Sequence, residues 1–200
     1  MSPYLSATRF AAEGFLRIAA DGRAQIAAGH QHETERSAEL EIHAAAFEAA
    51  ADLDTLLTAG ALKHVSEYNA EQATRLAGML RALLLESVKV ARGALLQIGK
   101  QGIATAHGKK AAAPPGRMIG TQPLRDVVWG ARNQAMHAVE GEYRGEALTI
   151  FRRLEADFGV QFFLNSTVRK SRAPEVCDLL GWTQYAAFEK DMRDLLASVA

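Results

Sequence analysis

From Ser66 to about Gln101 the chain carries no proline, and Ala77, Leu80, Leu84, Val88, Ala91, Leu95 and Ile98 recur at spacings of three and four. That period matches the turn of an α-helix, so it predicts one long helix with a continuous buried side. Leu76, Met79, Leu83, Val90 and Ala94 widen the apolar face. A helix apolar over so much of its circumference is expected to pack on two sides or against a second subunit. Alanine is abundant and aromatics are only 7% of the chain, which favours helices over strands elsewhere too. The expected fold class is therefore all-α, a bundle of about six to seven helices with one long central helix. A sandwich, a barrel and a disordered chain are disfavoured on the same grounds.

The remaining helices are read from apolar spacing and from stop signals. Leu5, Phe10, Phe15 and Ile18 suit a short first helix ending near Asp21-Gly22, and Gly29 to Glu35 reads as a polar turn. A second helix is expected from about Glu33 to Thr58, with Leu40, Ala44, Phe47 and Ala51 inward and Gly60 as its stop. His107 to Pro123, with Pro114-Pro115-Gly116 and three further breakers around it, is a long loop of the kind that is often functional. Thr121 is expected to cap the next helix, which ends near Gly141. Further helices are expected over Gly145–Phe158, Pro174–Leu180 and Thr183–Val199, with an extended piece at Val160–Phe163. The 200 residues suit a single domain, with acidic N-terminal helices over 1–60 and a core over 61–200 that includes a basic loop at 107–122.

Cys177 is the only cysteine, so a disulfide framework and a cysteine zinc ribbon within one chain are excluded; its apolar neighbours Val176, Leu179 and Leu180 suit a buried, inert thiol. No signal peptide is read at the start, and the longest apolar run, Ala82 to Leu85, is far too short to span a bilayer, which points to a cytoplasmic protein without a membrane partner. His30, His32, Glu33 and Glu35 lack the i, i+4 histidine pair of helical zinc sites, so neither a metal nor another cofactor is expected. The formal charge is zero but unevenly placed: 4 basic and 9 acidic residues over 1–60, 17 and 9 over 61–172, and 2 and 5 over 173–200. A basic middle is able to gather phosphates, although the overall balance is not that of a dedicated duplex-DNA binder.

The segment that carries chemistry is Val128-Trp129-Gly130-Ala131-Arg132-Asn133-Gln134-Ala135-Met136-His137. Arg132 and His137 are five residues apart, with a polar Asn133 directly after the arginine. Arg23 to His30 and Arg36 to His43 share the loose spacing but are followed by Ala24 and Ser37, so requiring the polar residue leaves Arg132 alone. Histidine accepts and donates protons near neutral pH, arginine grips phosphate oxygens as a charged fork, and Asn133 at i−4 shares a helix face with His137. Arg132 and His137 stand about 140° apart around a helix axis, so one helix does not present both squarely to one phosphate. The structural alternative is an Arg132 ion pair with Asp126 or Glu140 and a packing role for His137.

Arg132-Asn133…His137 on a late helix resembles the signature of the HEPN superfamily (higher eukaryote and prokaryote nucleotide-binding domains). The resemblance implies a helical bundle whose catalytic members are metal-independent endoribonucleases. RNA would be cleaved by attack of its 2′-hydroxyl, leaving 2′,3′-cyclic phosphate ends, with Arg132, Asn133 and His137 as catalytic residues. It also implies a homodimer in which two copies of the motif line one cleft, and a role as a toxin or defence effector held by a regulatory or antitoxin partner protein. Lys109, Lys110 and Arg117, in the loop before the motif, are candidate RNA-binding residues through their charge, with Arg144, Arg152 and Arg153 extending a basic surface. Trp129 and Tyr143 flank the motif as candidate stacking platforms, with a core position the competing reading for Trp129. The competing reading is a non-catalytic helical module that binds a protein or nucleotide and dimerises through the same helix.

Overall fold

A computed structural model describes residues 2–48, 53–141, 143, 145–165, 167 and 169–197, and for residues 39, 40, 43, 44, 46–48, 53–62, 65 and 66 only the backbone. The protein is all-α among these residues, apart from a two-stranded hairpin. Two long helices come first, α1 (Pro3–Glu48) and α2 (Leu53–His107). A 3-10 turn at Lys110–Ala112 leads to β1 (Met118–Ile119) and β2 (Gln122–Pro123), an antiparallel pair with Met118 opposite Pro123. Then come α3 (Leu124–Met136), α4 (Gly145–Phe158), a 3-10 turn at Val160–Phe162, α5 (Ala173–Leu179) and α6 (Tyr185–Leu195). No described helix is long and apolar enough to cross a membrane.

The first two expected helices differ from the observed ones. There is no break at Asp21-Gly22, Gly29–Glu35 is helical, and Gly60 lies inside α2 rather than ending a helix. No proline stands between Pro3 and Pro114, so the only breakers available are glycines, which cost a helix interior about 1 kcal/mol each. The polar stretch is held as helix by its own side chains: Gln31 donates to Glu35 at 3.3 Å, Thr34 Oγ1 donates to the His30 carbonyl, and His30 and His32 lie 3.6 and 3.3 Å from Glu33 and Glu35. The side chains expected to line the second helix, Leu40, Ala44, Phe47 and Ala51, lie outside the described residues.

The chain divides into two compact units: residues 1–20 with 87–200, and residues 21–86. In the 21–86 unit, α1 and α2 run antiparallel and border an open cleft of about 420 Å³ that Gly29, His32 and Glu33 share with Ala70, Ala73 and Ala77. Of the wide apolar face expected on this helix, Leu76, Met79, Leu80 and Leu83 are exposed in this unit, so α2 is packed there on one side only.

The larger unit holds the main core. Leu95, Leu96 and Ile103 of α2 meet Leu5 and Leu16 of α1, Val127, Val128 and Ala131 of α3, Phe151 and Leu154 of α4, and Phe188 and Met192 of α6. Trp182 lies fully buried with its ring edge-on to Phe188, centroids 4.9 Å apart, and Cys177 is buried as expected. One carboxylate fastens this end of the bundle: Asp191, 4% exposed, accepts from Arg117 Nε and Nη2 at 2.8 and 2.9 Å and from Trp182 Nε1 at 2.8 Å. Gly130 lets α3 and α4 approach closely, since a Cβ there would lie 2.5 Å from Ile150 Cδ1.

Candidate functional site

Helix α3 carries the motif, and its placement follows from its sequence. Leu124, Val127, Val128 and Ala131 repeat at three and four and are buried, which turns Arg132, Asn133 and Met136 away from the core. The cap is not the expected Thr121. Gln122-Pro123 is extended, Pro123 is the N-cap, and the Thr121 N–H and hydroxyl both donate to Asp157 Oδ2 at 2.8 Å instead. Those bonds, with Arg153 nearby, hold the Asp157 carboxyl below the usual carboxylate range. Gln122 is buried and donates to the Ile150 carbonyl, and buried Gln134 donates to the Lys170 carbonyl and accepts from the Arg172 N–H. These bonds fix both ends of α3 against the chain around it.

The helix ends earlier than the expected Gly141. Met136 is its last residue and His137 its C-cap, with φ −104° and its N–H donating to the Asn133 carbonyl. The chain then turns, and Gly141 at φ 70° takes the left-handed conformation that closes it. His137 thus stands at the open end of α3, its side chain 54% exposed. Its Nδ1 is 2.8 Å from Glu140 Oε2. An ionised carboxylate only accepts, so Nδ1 carries the proton of this bond and Nε2 is left with the exchangeable role, acceptor in the neutral ring and donor in the charged one.

Asn133, Gln134, His137, Glu140, Tyr143, Glu146 and Ala147 line an open cleft of about 350 Å³. Asn133 and His137 are one turn apart on the same face, as their spacing predicts. Arg132 does not line the cleft. It lies beside it, half-buried, with Nε bonded to Gln97 Oε1 and Nη1 donating to Asn133 Oδ1 at 3.4 Å. Neither proposed ion pair forms: Asp126 accepts from Arg125 and Lys110, and Glu140 is taken by His137. The same Asn133 oxygen also accepts from Lys100 Nζ at 2.9 Å, and the ammonium sits 4.7 Å from the Trp129 ring centroid. Burial, and then the positive charge of Arg132, push the Lys100 ammonium below the usual lysine range.

Lys100 and Gln97 are the site residues that sequence reasoning missed. Both lie on the helix read as core, and their partner on α3 is over thirty positions away, so spacing offered no signal.

The loop cations are largely occupied by carboxylates. Arg117 makes the two-bond pair with Asp191 and donates to the Leu180 carbonyl at 2.7 Å, and Lys110 is held by Asp126 and by Glu146. Of the three loop residues chosen for RNA contact, Lys109 alone has no such partner among the described residues, and it is exposed. Arg152 and Arg153 are exposed on α4, while Arg144 lies outside the described residues. Trp129 packs on the core and under Lys100, and Tyr143 faces the cleft. No group of three or more histidine, cysteine or acidic side chains able to hold a metal occurs among the described residues. Compared with family models, with curated proteins and with solved structures, the chain matches none.

Proposed function

We propose that this chain is a metal-independent endoribonuclease of HEPN type. RNA supplies its own nucleophile: the 2′-oxygen bonds to phosphorus, the bond from phosphorus to the 5′-oxygen breaks, and a 2′,3′-cyclic phosphate remains. His137 takes the 2′-proton through Nε2 and returns it to the departing 5′-oxygen, while Glu140 holds the ring from the Nδ1 side. Asn133 contacts the phosphate from the same face, and Arg132 reinforces it from beside the cleft with charge that is present at any working pH. The observation that carries the reading is the pairing of Asn133 and an exposed His137 in one open cleft, with its arginine adjacent. The homodimer and the restraining partner protein enter from the resemblance to the family, and a partner copy would bring a second arginine to a cleft that Arg132 of the same chain only borders.

One observation favours a second reading. Arg132 is engaged by two amide side chains rather than aimed into the cleft, as in a helical module that binds a nucleotide or protein without cleaving it. The two separate in one experiment: purified protein and His137→Ala are incubated with mixed single-stranded RNA and tRNA in excess EDTA, and fragment ends are analysed. Cyclic-phosphate fragments from the unsubstituted chain only are expected. No cleavage by either supports the binding module, and equal cleavage by both removes His137 from the chemistry.

A further inference from the structure

Half-buried cations in the larger unit find carboxylates: Lys110 and Arg125 reach Asp126, and Lys170 and Arg172 reach Glu175. Lys100 and Arg132 depart from this pattern. Both are half-buried, they come from two different helices, and they converge on a single neutral oxygen, Asn133 Oδ1, at 2.9 and 3.4 Å. Among the described residues neither has a carboxylate within ion-pair distance. Two like charges brought together without a counterion repel each other, and partial burial strengthens the repulsion by removing water. An amide oxygen accepts their hydrogen bonds but cancels none of the charge. The arrangement is balanced when an anion joins it, and the oxygen the two cations share belongs to a residue that lines the cleft.

We infer that Lys100 and Arg132 form a two-cation seat for a phosphate group at the edge of the Asn133–His137 cleft, with Lys100 a phosphate-binding residue of the site. The inference deepens the ribonuclease reading and rests on it for the source of the phosphate, an RNA backbone rather than a free phosphate compound. Arg132 is held from the far side by Gln97, which fixes its plane. Lys100 has the flexible stem, so it is the group that swings from Asn133 and the Trp129 face onto the incoming phosphate. Its departure from the ring makes Trp129 a reporter, whereas Trp182 is fully buried far along the sequence and serves as a constant background.

The test uses the full-length chain carrying His137→Ala, so that bound RNA survives, with and without Lys100→Gln. A short single-stranded oligoribonucleotide and inorganic phosphate are titrated separately, following tryptophan fluorescence over a series of salt concentrations. Loss of one charge-assisted contact predicts RNA binding weaker by about tenfold, and a salt slope shallower by about 0.7. Lys100→Arg restores both. The glutamine keeps an amide donor for Asn133 and relieves the repulsion, so that variant melts at or above the temperature of its parent, which separates lost binding from lost folding. If phosphate binds with the same dependence on Lys100 and RNA does not, the seat stands and the ribonuclease reading falls. If RNA is cleaved by the unsubstituted chain, yet Lys100→Gln binds it equally tightly with the same slope, the reading stands and the seat is overturned. Absence of binding by both probes overturns the seat as well.

Discussion

Gly130 tests whether the contact between α3 and α4 is as tight as its geometry implies. Replacing it with alanine adds one methyl group in the middle of α3. Helix propensity alone rewards that change by about 1 kcal/mol. The added Cβ, however, would stand 2.5 Å from Ile150 Cδ1 and 3.3 Å from Ile150 Cβ and Cγ2. Carbon atoms in contact rest at about 3.5–4.0 Å, so Cδ1 must retreat by about 1 Å. A χ2 rotation moves Cδ1, but Cβ is fixed to the backbone of α4, Cγ2 moves only with a χ1 that is stiff in a helical isoleucine, and Ile150 is only 4% exposed. The helix itself must therefore give way inside a packed core, and overpacking of this kind costs about 1–3 kcal/mol. The net expectation is destabilisation on the order of 1 kcal/mol, a melting temperature lower by about 2–4 °C in a chain of this size. Gly14→Ala is the matched control: also helical, with nothing within 4 Å of its added Cβ. It should stabilise by about 0.4–1 kcal/mol. Both are read by thermal melting followed by circular dichroism. A Gly130→Ala protein that melts as high as the parent, alongside the Gly14→Ala rise, would refute the close approach of α3 to α4.

Asp191→Ala strips the acceptor from Trp182 Nε1 and both oxygens from Arg117; breaking such a pair costs several kcal/mol when it is fully buried, and since the Arg117 side chain is 43% exposed to water, about 2 kcal/mol is expected, read as a lower urea midpoint. Asp157 gives a pH dependence: its folded-state carboxyl titrates below its ordinary range because Thr121 donates to the charged form, so this stability is fully present above the ordinary carboxylate pKa and is lost as pH falls through the lowered one. Melting curves of the parent and of Asp157→Asn should therefore differ by a constant amount above about pH 5 and converge below about pH 4; a difference that persists unchanged at acid pH would show that the charge on Asp157 is not what holds the hairpin.

The parts of the fold that depend on local pattern were legible, and those that depend on distant partners were not. Helix α4 falls on Gly145–Phe158, the span its apolar spacing implies, because Leu148, Ile150, Phe151 and Leu154 share one face and Gly145 opens it. The 46 residues of α1 were legible only as fragments. Asp21-Gly22 and Gly29–Glu35 look like breaks when composition is the guide, but a polar stretch stays helical when its side chains bond at i+3 and i+4 and no proline interrupts it. Thr121 has the chemistry of an N-cap, and that chemistry is used, but the partner is Asp157, 36 positions later. Local rules name what a side chain is able to bond; they do not name the bond that tertiary structure supplies in its place.

The same distinction decides what could be read of the site. Asn133 and His137 belong together by helical spacing alone, and the cleft contains both. Arg132 directly precedes Asn133, and adjacency on a helix turns it about 100° away, which is why it borders the cleft and bonds to Gln97. Lys100 stands among apolar residues, two positions after Ile98, and a pattern search assigns such a lysine to the solvent edge of a core helix. Its function in the site depends on Asn133, 33 positions later in the chain, accepting from it and from Arg132 at one oxygen. Charge is what makes that contact informative. Were Lys100 there for stability, a carboxylate would serve it better than an amide, as Glu175 serves Lys170 and Arg172. A neutral partner leaves the positive charge of both groups available to a ligand, and a cation pair beside an exposed histidine suits the phosphodiester that the proposed function calls for.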